Sequence, residues 1–110
     1  MGLRQDRLGE EIRDVLAVCF QGGRLSDPRL EAVTITAVKL SADLQIARVY
    51  FRVYGGGDVG AAAKGLQSAS GYLKKQVASN LQLRRIPELK FFFDESIEEA
   101  SKIEKILEKL

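Results

Sequence analysis

Residues 44–54 read Leu44-Gln45-Ile46-Ala47-Arg48-Val49-Tyr50-Phe51-Arg52-Val53-Tyr54 and alternate between two kinds of side chain. Successive side chains of an extended chain point to opposite faces. Ala47, Val49, Phe51 and Val53 therefore share one face, and Arg48, Tyr50, Arg52 and Tyr54 the other. This is the pattern of a half-buried strand. Residues 32–40 precede it with Val33, Thr34, Ile35, Thr36 and Val38, rich in the β-branched types that suit a strand. Only Ser41-Ala42-Asp43 lies between the two segments, so they are expected to pair as an antiparallel hairpin.

The flanking segments have helical spacing. Leu8, Ile12, Val15, Leu16, Cys19 and Phe20 predict an amphipathic helix over roughly residues 3–20, ended by Gly22 and Gly23. Ser26-Asp27-Pro28-Arg29 reads as a turn, with Asp27 placed to accept backbone N–H groups. Beyond the hairpin, Gly55-Gly56-Gly57 interrupts the strand and Asp58 is a candidate N-cap. Residues 58–83 then carry the apolar stripe Val59, Ala62, Leu66, Ala69, Leu73, Val77 and Leu81. An unbroken helix of that length would span ~39 Å, against a radius of gyration of only ~13 Å for such a domain. A break is therefore expected, at Gly71 first and Gly65 second. Pro87 stops the helical region. Leu89, Lys90, Phe91, Phe92 and Phe93 follow as a third strand, too apolar for an exposed edge. Ser96-Ile97-Glu98-Glu99 is a capping box opening a last helix, with Ile97, Ala100, Ile103, Leu107 and Leu110 on one face. Helices on one face of a small mixed sheet give an α+β class, and 110 residues suit a single domain over 1–110.

Several functions are disfavoured by composition. No histidine is present and Cys19 is the lone cysteine, so the usual zinc sets and nucleophile–base pairs cannot be assembled. Neither an enzyme nor a cofactor is expected. Cys19 lies on the apolar face of the first helix and reads as a small buried hydrophobe. No apolar run reaches the ~20 residues that span a bilayer, and Met1 to Glu11 lacks the apolar stretch of a signal peptide. The expected location is the cytosol, away from membranes. Gly55-Gly56-Gly57-Asp58-Val59-Gly60 matches the dinucleotide fingerprint in letters. The strand before it belongs to a hairpin rather than a buried parallel sheet, and no acid stands ~20 residues on. It reads as a strand-to-helix loop.

Charge is distributed unevenly. Residues 1–93 carry 14 Lys+Arg against 9 Asp+Glu, and residues 94–110 carry 3 against 6. A basic body suits a polyanionic partner, although solubility alone also produces such charge. Between residues 69 and 93 there are five basic residues and one acid, Glu88. A glycine between two helices would let a nucleic-acid backbone approach closely, with Lys74, Lys75, Arg84, Arg85 and Lys90 nearby. A kink made only for packing, beside a solvated basic face, explains the same residues. The Arg48, Tyr50, Arg52, Tyr54 face could pair with phosphates and stack on bases, but the outer side of any such strand looks alike. Arg4, Arg7 and Arg13 lie among Asp6, Glu10, Glu11 and Asp14 and read first as i,i+4 partners on a solvated helix.

A succession of segments resembles one known family. Asp27-Pro28-Arg29-Leu30 precedes a strand, and Ser41-Ala42-Asp43-Leu44 leads to Ala47-Arg48-Val49-Tyr50. Leu66-Gln67-Ser68-Ala69-Ser70-Gly71-Tyr72-Leu73 precedes Leu83-Arg84-Arg85-Ile86-Pro87-Glu88-Leu89-Lys90-Phe91, and Phe93-Asp94-Glu95-Ser96 follows. The ordered set, from about Arg4 to Leu107, resembles ribosome-binding factor A. The resemblance implies a KH-like domain of type II topology (αββααβ) plus a C-terminal helix. It also implies an Ala-x-Gly kink at Ala69-Ser70-Gly71; Gly57-Asp58-Val59-Gly60 lies too early to be the corresponding loop. It implies a non-enzymatic assembly factor that binds small-subunit ribosomal RNA and the immature small ribosomal subunit, assists rRNA processing and matters for growth in the cold. The free chain is expected to be a monomer. The expected RNA contacts are Ala69, Ser70, Gly71, Lys74, Lys75, Arg84 and Arg85, with Arg4 and Arg7 further out. The alternative is a protein-interaction module acting through the third strand or the C-terminal helix.

Overall fold

The computed structural model describes residues 3–21 and 25–95. Helix α1 spans Leu3–Cys19, strand β1 Val33–Leu40, β2 Ile46–Val53, helix α2 Val59–Leu81 and β3 Glu88–Phe93, with a 3-10 turn at Pro28–Leu30. The expected C-terminal helix and the Gly22-Gly23 helix stop fall outside the described residues.

The sheet has the order β1-β2-β3. β2 pairs antiparallel with β1 and parallel with β3. Both helices pack on one face of it, giving the α+β class. Ala47, Val49 and Phe51 are fully or almost fully buried there, together with Ile12 and Leu16 of α1 and Ala62, Leu66, Leu73 and Val77 of α2. Cys19 joins the same core.

β1 buries Val33, Ile35, Val38 and Leu40. A regular strand cannot do this, because residues 35 and 38 would point opposite ways. The pairing shifts by one residue between Ile35 and Ala37. This bulge leaves Thr36 as the extra residue and restores the inward face for Val38 and Leu40. Thr36 Oγ1 donates to Asp94 Oδ2 at 2.7 Å, past the end of β3.

The turns form as their residues dictate. Asp27 Oδ1 accepts the Arg29 N–H at 2.9 Å, and its carboxylate grips the Arg29 guanidinium at 2.7 Å. The Arg29 side chain is the first cause holding the Asp27 carboxyl below its ordinary range. Asp58 caps α2, accepting from the Ala61 N–H at 3.1 Å. Gly55 and Gly56 have φ of 67° and 70°, a region glycine enters without a Cβ penalty. The Gly55–Gly60 stretch is thus a loop and a cap.

Two expectations need correction. The helical region between β2 and β3 is not broken at Gly71 or Gly65; α2 is one helix from Val59 to Leu81. The two-helix step of an αββααβ order is a single element here. The length estimate failed because α2 does not project from the body. It packs on α1, β2, β3 and the Pro28–Leu30 turn, so its stripe is buried at Ala62, Leu66, Leu73 and Val77, and only Val59 at its start is exposed. Gly65 faces that turn, and a Cβ there would lie 3.0 Å from the Leu30 side chain. Gly71 is exposed with open space around it, so no neighbour forces the backbone apart. Ser70 Oγ donates to the Gln67 carbonyl at 2.8 Å, a back-bond that bends helices rather than ending them. The second correction concerns β3, which is an edge among the described strands. Its apolar residues serve its faces: Leu89, Phe91 and Phe93 pair in register with inward Ala47, Val49 and Phe51. Phe93 meets Phe51 edge-on, with centroids 5.9 Å apart.

Two glycine substitutions test this packing in opposite directions. Gly71→Ala should raise the melting temperature by a few degrees, because alanine is worth about 1 kcal/mol over glycine in an exposed helix interior. Gly9→Ala should lower it. A Cβ at Gly9 would stand 2.6 Å from the Val38 carbonyl oxygen, and overpacking costs about 1–3 kcal/mol. Thermal unfolding followed by circular dichroism reads both, and a loss of stability in Gly71→Ala would contradict a continuous α2.

Candidate nucleic-acid interface

One end of the sheet carries a groove of about 1050 Å³. Its walls come from three places. α1 supplies Arg4, Arg7, Leu8 and Glu11. The β1–β2 turn supplies Asp43, Leu44 and Gln45. Lys74 of α2 and the segment from Gln82 to Glu88 complete it. These converge because Glu88 opens β3 opposite Ile46 in the parallel pair, with its N–H donating to the Gln45 carbonyl at 2.8 Å. The α2–β3 connection is thereby tied to the β1–β2 turn. Leu8, Leu44, Leu83 and Ile86 are half-buried and Pro87 is buried, giving the groove an apolar lining.

The turn is held by its own polar groups. Asp43 Oδ1 accepts from Ser41 Oγ at 2.7 Å and from the Gln45 N–H at 3.1 Å. The Ser41 hydroxyl is the main cause that holds the Asp43 carboxyl below its ordinary value, with the Gln45 N–H second. Leu44 has φ 62°, and Gln82, the C-cap of α2, has φ 51°. Among the described residues these are the two non-glycine positions in the left-handed region, and both line the groove. Such backbone persists where surrounding contacts over-determine it.

The groove is cationic. Arg4, Arg7, Lys74, Arg84 and Arg85 face Glu11, Asp43 and Glu88. Arg7 is paired with Glu11 at 3.6 Å, the i,i+4 contact expected for that helix face. Arg4, Lys74, Arg84 and Arg85 are exposed and make no ion pair among the described residues. Asp43 is already committed to the turn. The arrangement offers several free cations around an apolar floor, and guanidinium groups suit phosphate oxygens in particular. No cluster of three or more metal-ligating side chains occurs among the described residues.

Comparison with known proteins places the chain. The family model described as Ribosome-binding factor A matches residues 4–107. The chain belongs to the ribosome-binding factor A family. A relative so named from Desulfatibacillum aliphaticivorans is 47% identical over 111 residues, covering 97% of this chain and 87% of its own. The crystal structure of ribosome-binding factor A from Thermus thermophilus superposes with a TM-score of 0.71 at 31% identity, over 80% of this chain and 93% of that one. A homology model of the Thermus thermophilus factor, fitted into a cryo-EM map of a 30S complex, gives a TM-score of 0.69 at 30% identity, over 83% and 96%.

In this chain the expected contact residues separate into two groups. Arg4, Arg7, Lys74, Arg84 and Arg85 meet at the groove. Ala69, Ser70, Gly71 and Lys75 lie on α2 outside its lining, with Gly71 and Lys75 exposed and Ala69 and Ser70 half-buried. Arg4 and Arg7, ranked as outer contributors by sequence, are wall residues. Sequence reading did not select Leu44, Gln82 or the Leu83, Ile86, Pro87 floor. A usable signal was present, since Arg84-Arg85 are bracketed by apolar residues in a segment that is neither helix nor strand. Of the Arg48, Tyr50, Arg52, Tyr54 face, Arg52 is engaged: its guanidinium donates to the Asp94 carbonyl at 2.6 Å and lies 5.3 Å from the Phe93 ring centroid.

The turn has a checkable titration. Ser41→Ala should raise the Asp43 carboxyl toward its ordinary range, measured by an NMR pH titration of the side-chain carbonyl carbon. Because the folded-state value is depressed, the turn's stabilisation by ionised Asp43 is present above the unfolded-chain pKa and is lost as pH falls through the folded value. An unmoved Asp43 titration in Ser41→Ala would show that the hydroxyl is not the cause.

Proposed function

We propose that this chain is a non-catalytic, cytosolic, single-domain RNA-binding factor that docks on the small ribosomal subunit through the groove between α1 and the α2–β3 connection. The observation that carries the reading is the convergence of Arg4, Lys74, Arg84 and Arg85, without ion pairs among the described residues, around one concave surface. Family membership supplies the partner class, since a family member from Thermus thermophilus has been fitted into a 30S complex. Within this proposal the chain contacts ribosomal RNA in an immature subunit, assists late maturation and rRNA processing, supports growth in the cold, and leaves as the subunit completes. It acts as a monomer. The groove residues supply phosphate contacts that position the protein; base reading is not assigned to them. The contact set is Arg4, Arg7, Lys74, Arg84 and Arg85, with Lys75, Ala69, Ser70 and Gly71 secondary.

Co-sedimentation with immature small subunits tests the assignment. Lys74→Glu combined with Arg84→Glu should abolish association while the thermal transition stays near that of wild type, because all the changed side chains are exposed. Lys75→Glu, one residue from Lys74 but outside the groove, should weaken binding far less. Affinity of the wild type should fall with salt by ~0.7–0.9 in log K per log salt for each phosphate neutralised. Association indifferent to salt would instead favour the protein-interaction module that β3 or the C-terminal segment could form. Equal losses in Lys75→Glu and the groove double variant would sink the groove assignment.

A further inference from the structure

The helices cover one face of the sheet, and the strand register decides what the other face presents. Lys39 of β1 pairs with Arg48 of β2, and Arg48 pairs with Lys90 of β3. Three cations therefore stand in one row across the sheet. Neighbouring strands lie ~4.8 Å apart, so the row is about 10 Å wide. All three side chains are exposed and none forms an ion pair among the described residues. Like charges directly opposite one another destabilise a sheet, so this row costs stability unless an anion lies over it.

The next outward row carries aromatic rings. Tyr50 pairs with Phe92, their centroids 5.9 Å apart and their planes inclined by 35°. Phe92 is 43% exposed and points away from the helix-covered core. Charged and aromatic rows are two residues apart along the strands, ~6.6 Å. A phosphate and a stackable base are the two parts of one nucleotide, and this face offers a partner to each. An acidic peptide would use the cations but leave the rings without a partner. A duplex would use them too, yet its bases are already stacked and its readable edges lie in grooves.

We infer that the outer face of the sheet is a second RNA surface, separate from the groove, which holds a single-stranded segment with phosphates along Lys39, Arg48 and Lys90 and a base stacked on Tyr50 and Phe92. The inference does not depend on the groove, which lies at one end of the sheet and shares none of these residues.

Fluorescence anisotropy of the full chain with a labelled, mixed-sequence single-stranded RNA of about 12 nucleotides tests it. Lys39→Gln, Arg48→Gln, Lys90→Gln together should flatten the salt dependence by about 2 in log–log slope, from ~0.7 per phosphate on a single strand. Phe92→Ala should weaken binding about 5- to 150-fold, the range for losing one base–aromatic stack, and should do so equally when Lys74→Glu and Arg84→Glu are already present. A duplex of the same sequence should compete poorly. Circular dichroism confirms that each variant is folded. Wild-type binding by the folded charge-row variant and by Phe92→Ala would overturn the inference and give the face to a protein or to residues 96–110. No detectable single-strand binding by the wild type at low salt, or competition by the duplex as strong as by the single strand, would overturn it as well.

Discussion

The burial of Ala47, Val49 and Phe51 along β2 is the constraint on which the rest of this molecule depends. β2 is hydrogen-bonded on both sides and its inner residues are sealed beneath two helices. Truncating a buried phenylalanine to alanine costs about 3–5 kcal/mol, a large part of the ~5–15 kcal/mol that holds a domain together. A slip by one residue would turn Arg48, Tyr50 and Arg52 inward and expose the apolar row. Both neighbours conform to β2. β1 takes a bulge at Thr36 so that Val38 and Leu40 keep facing the helices, and β3 runs parallel so that Leu89, Phe91 and Phe93 fall beside Ala47, Val49 and Phe51.

Both surfaces argued to meet RNA follow from that register. Ile46 starts β2 opposite Glu88, the first residue of β3. The turn before β2 and the connection before β3 are thus brought to the same end of the sheet, where α1 begins. The groove is the space these three leave, and the left-handed backbone at Leu44 and Gln82 is the cost of turning the chain sharply enough to form it. The outer face is the other product of the same alternation: when the apolar residues are fixed inward, the cations and rings are fixed outward.

Much of this was legible in the residues because it depends on local spacing. The alternation from Ala47 to Val53 identified the strand and both its faces. Asp27 and Asp58 marked a turn and a helix start, and each accepts the predicted kind of backbone N–H. The helix break at Gly71 failed for a reason no local signal contains. Whether a long helix overhangs the body depends on what lies beneath it, and α2 has contacts with the sheet, with α1 beside it and with the Pro28–Leu30 turn. The bulge at Thr36 was hidden because a shift in β-pairing is a property of two strands. Five of the expected contact residues converge, and four on α2 do not: Ala69, Ser70 and Gly71 were expected from a kink that α2 does not form, and Lys75 because charge counted along the chain says nothing about which side of a helix faces a loop. The Lys39, Arg48, Lys90 row spans residues far apart in sequence and becomes visible only through the parallel pairing.

The unbroken α2 also limits how the molecule can deform. A helix of 23 residues is a stiff beam ~35 Å long, fastened near Gly65 to the Pro28–Leu30 turn and carrying Lys74 into the groove. α2 is continuous between these anchor points, so the spacing between the Pro28–Leu30 turn and the cationic groove is set by the helix rise. A partner that touches both must itself have the matching span, so shape adjustment on engagement falls to the partner.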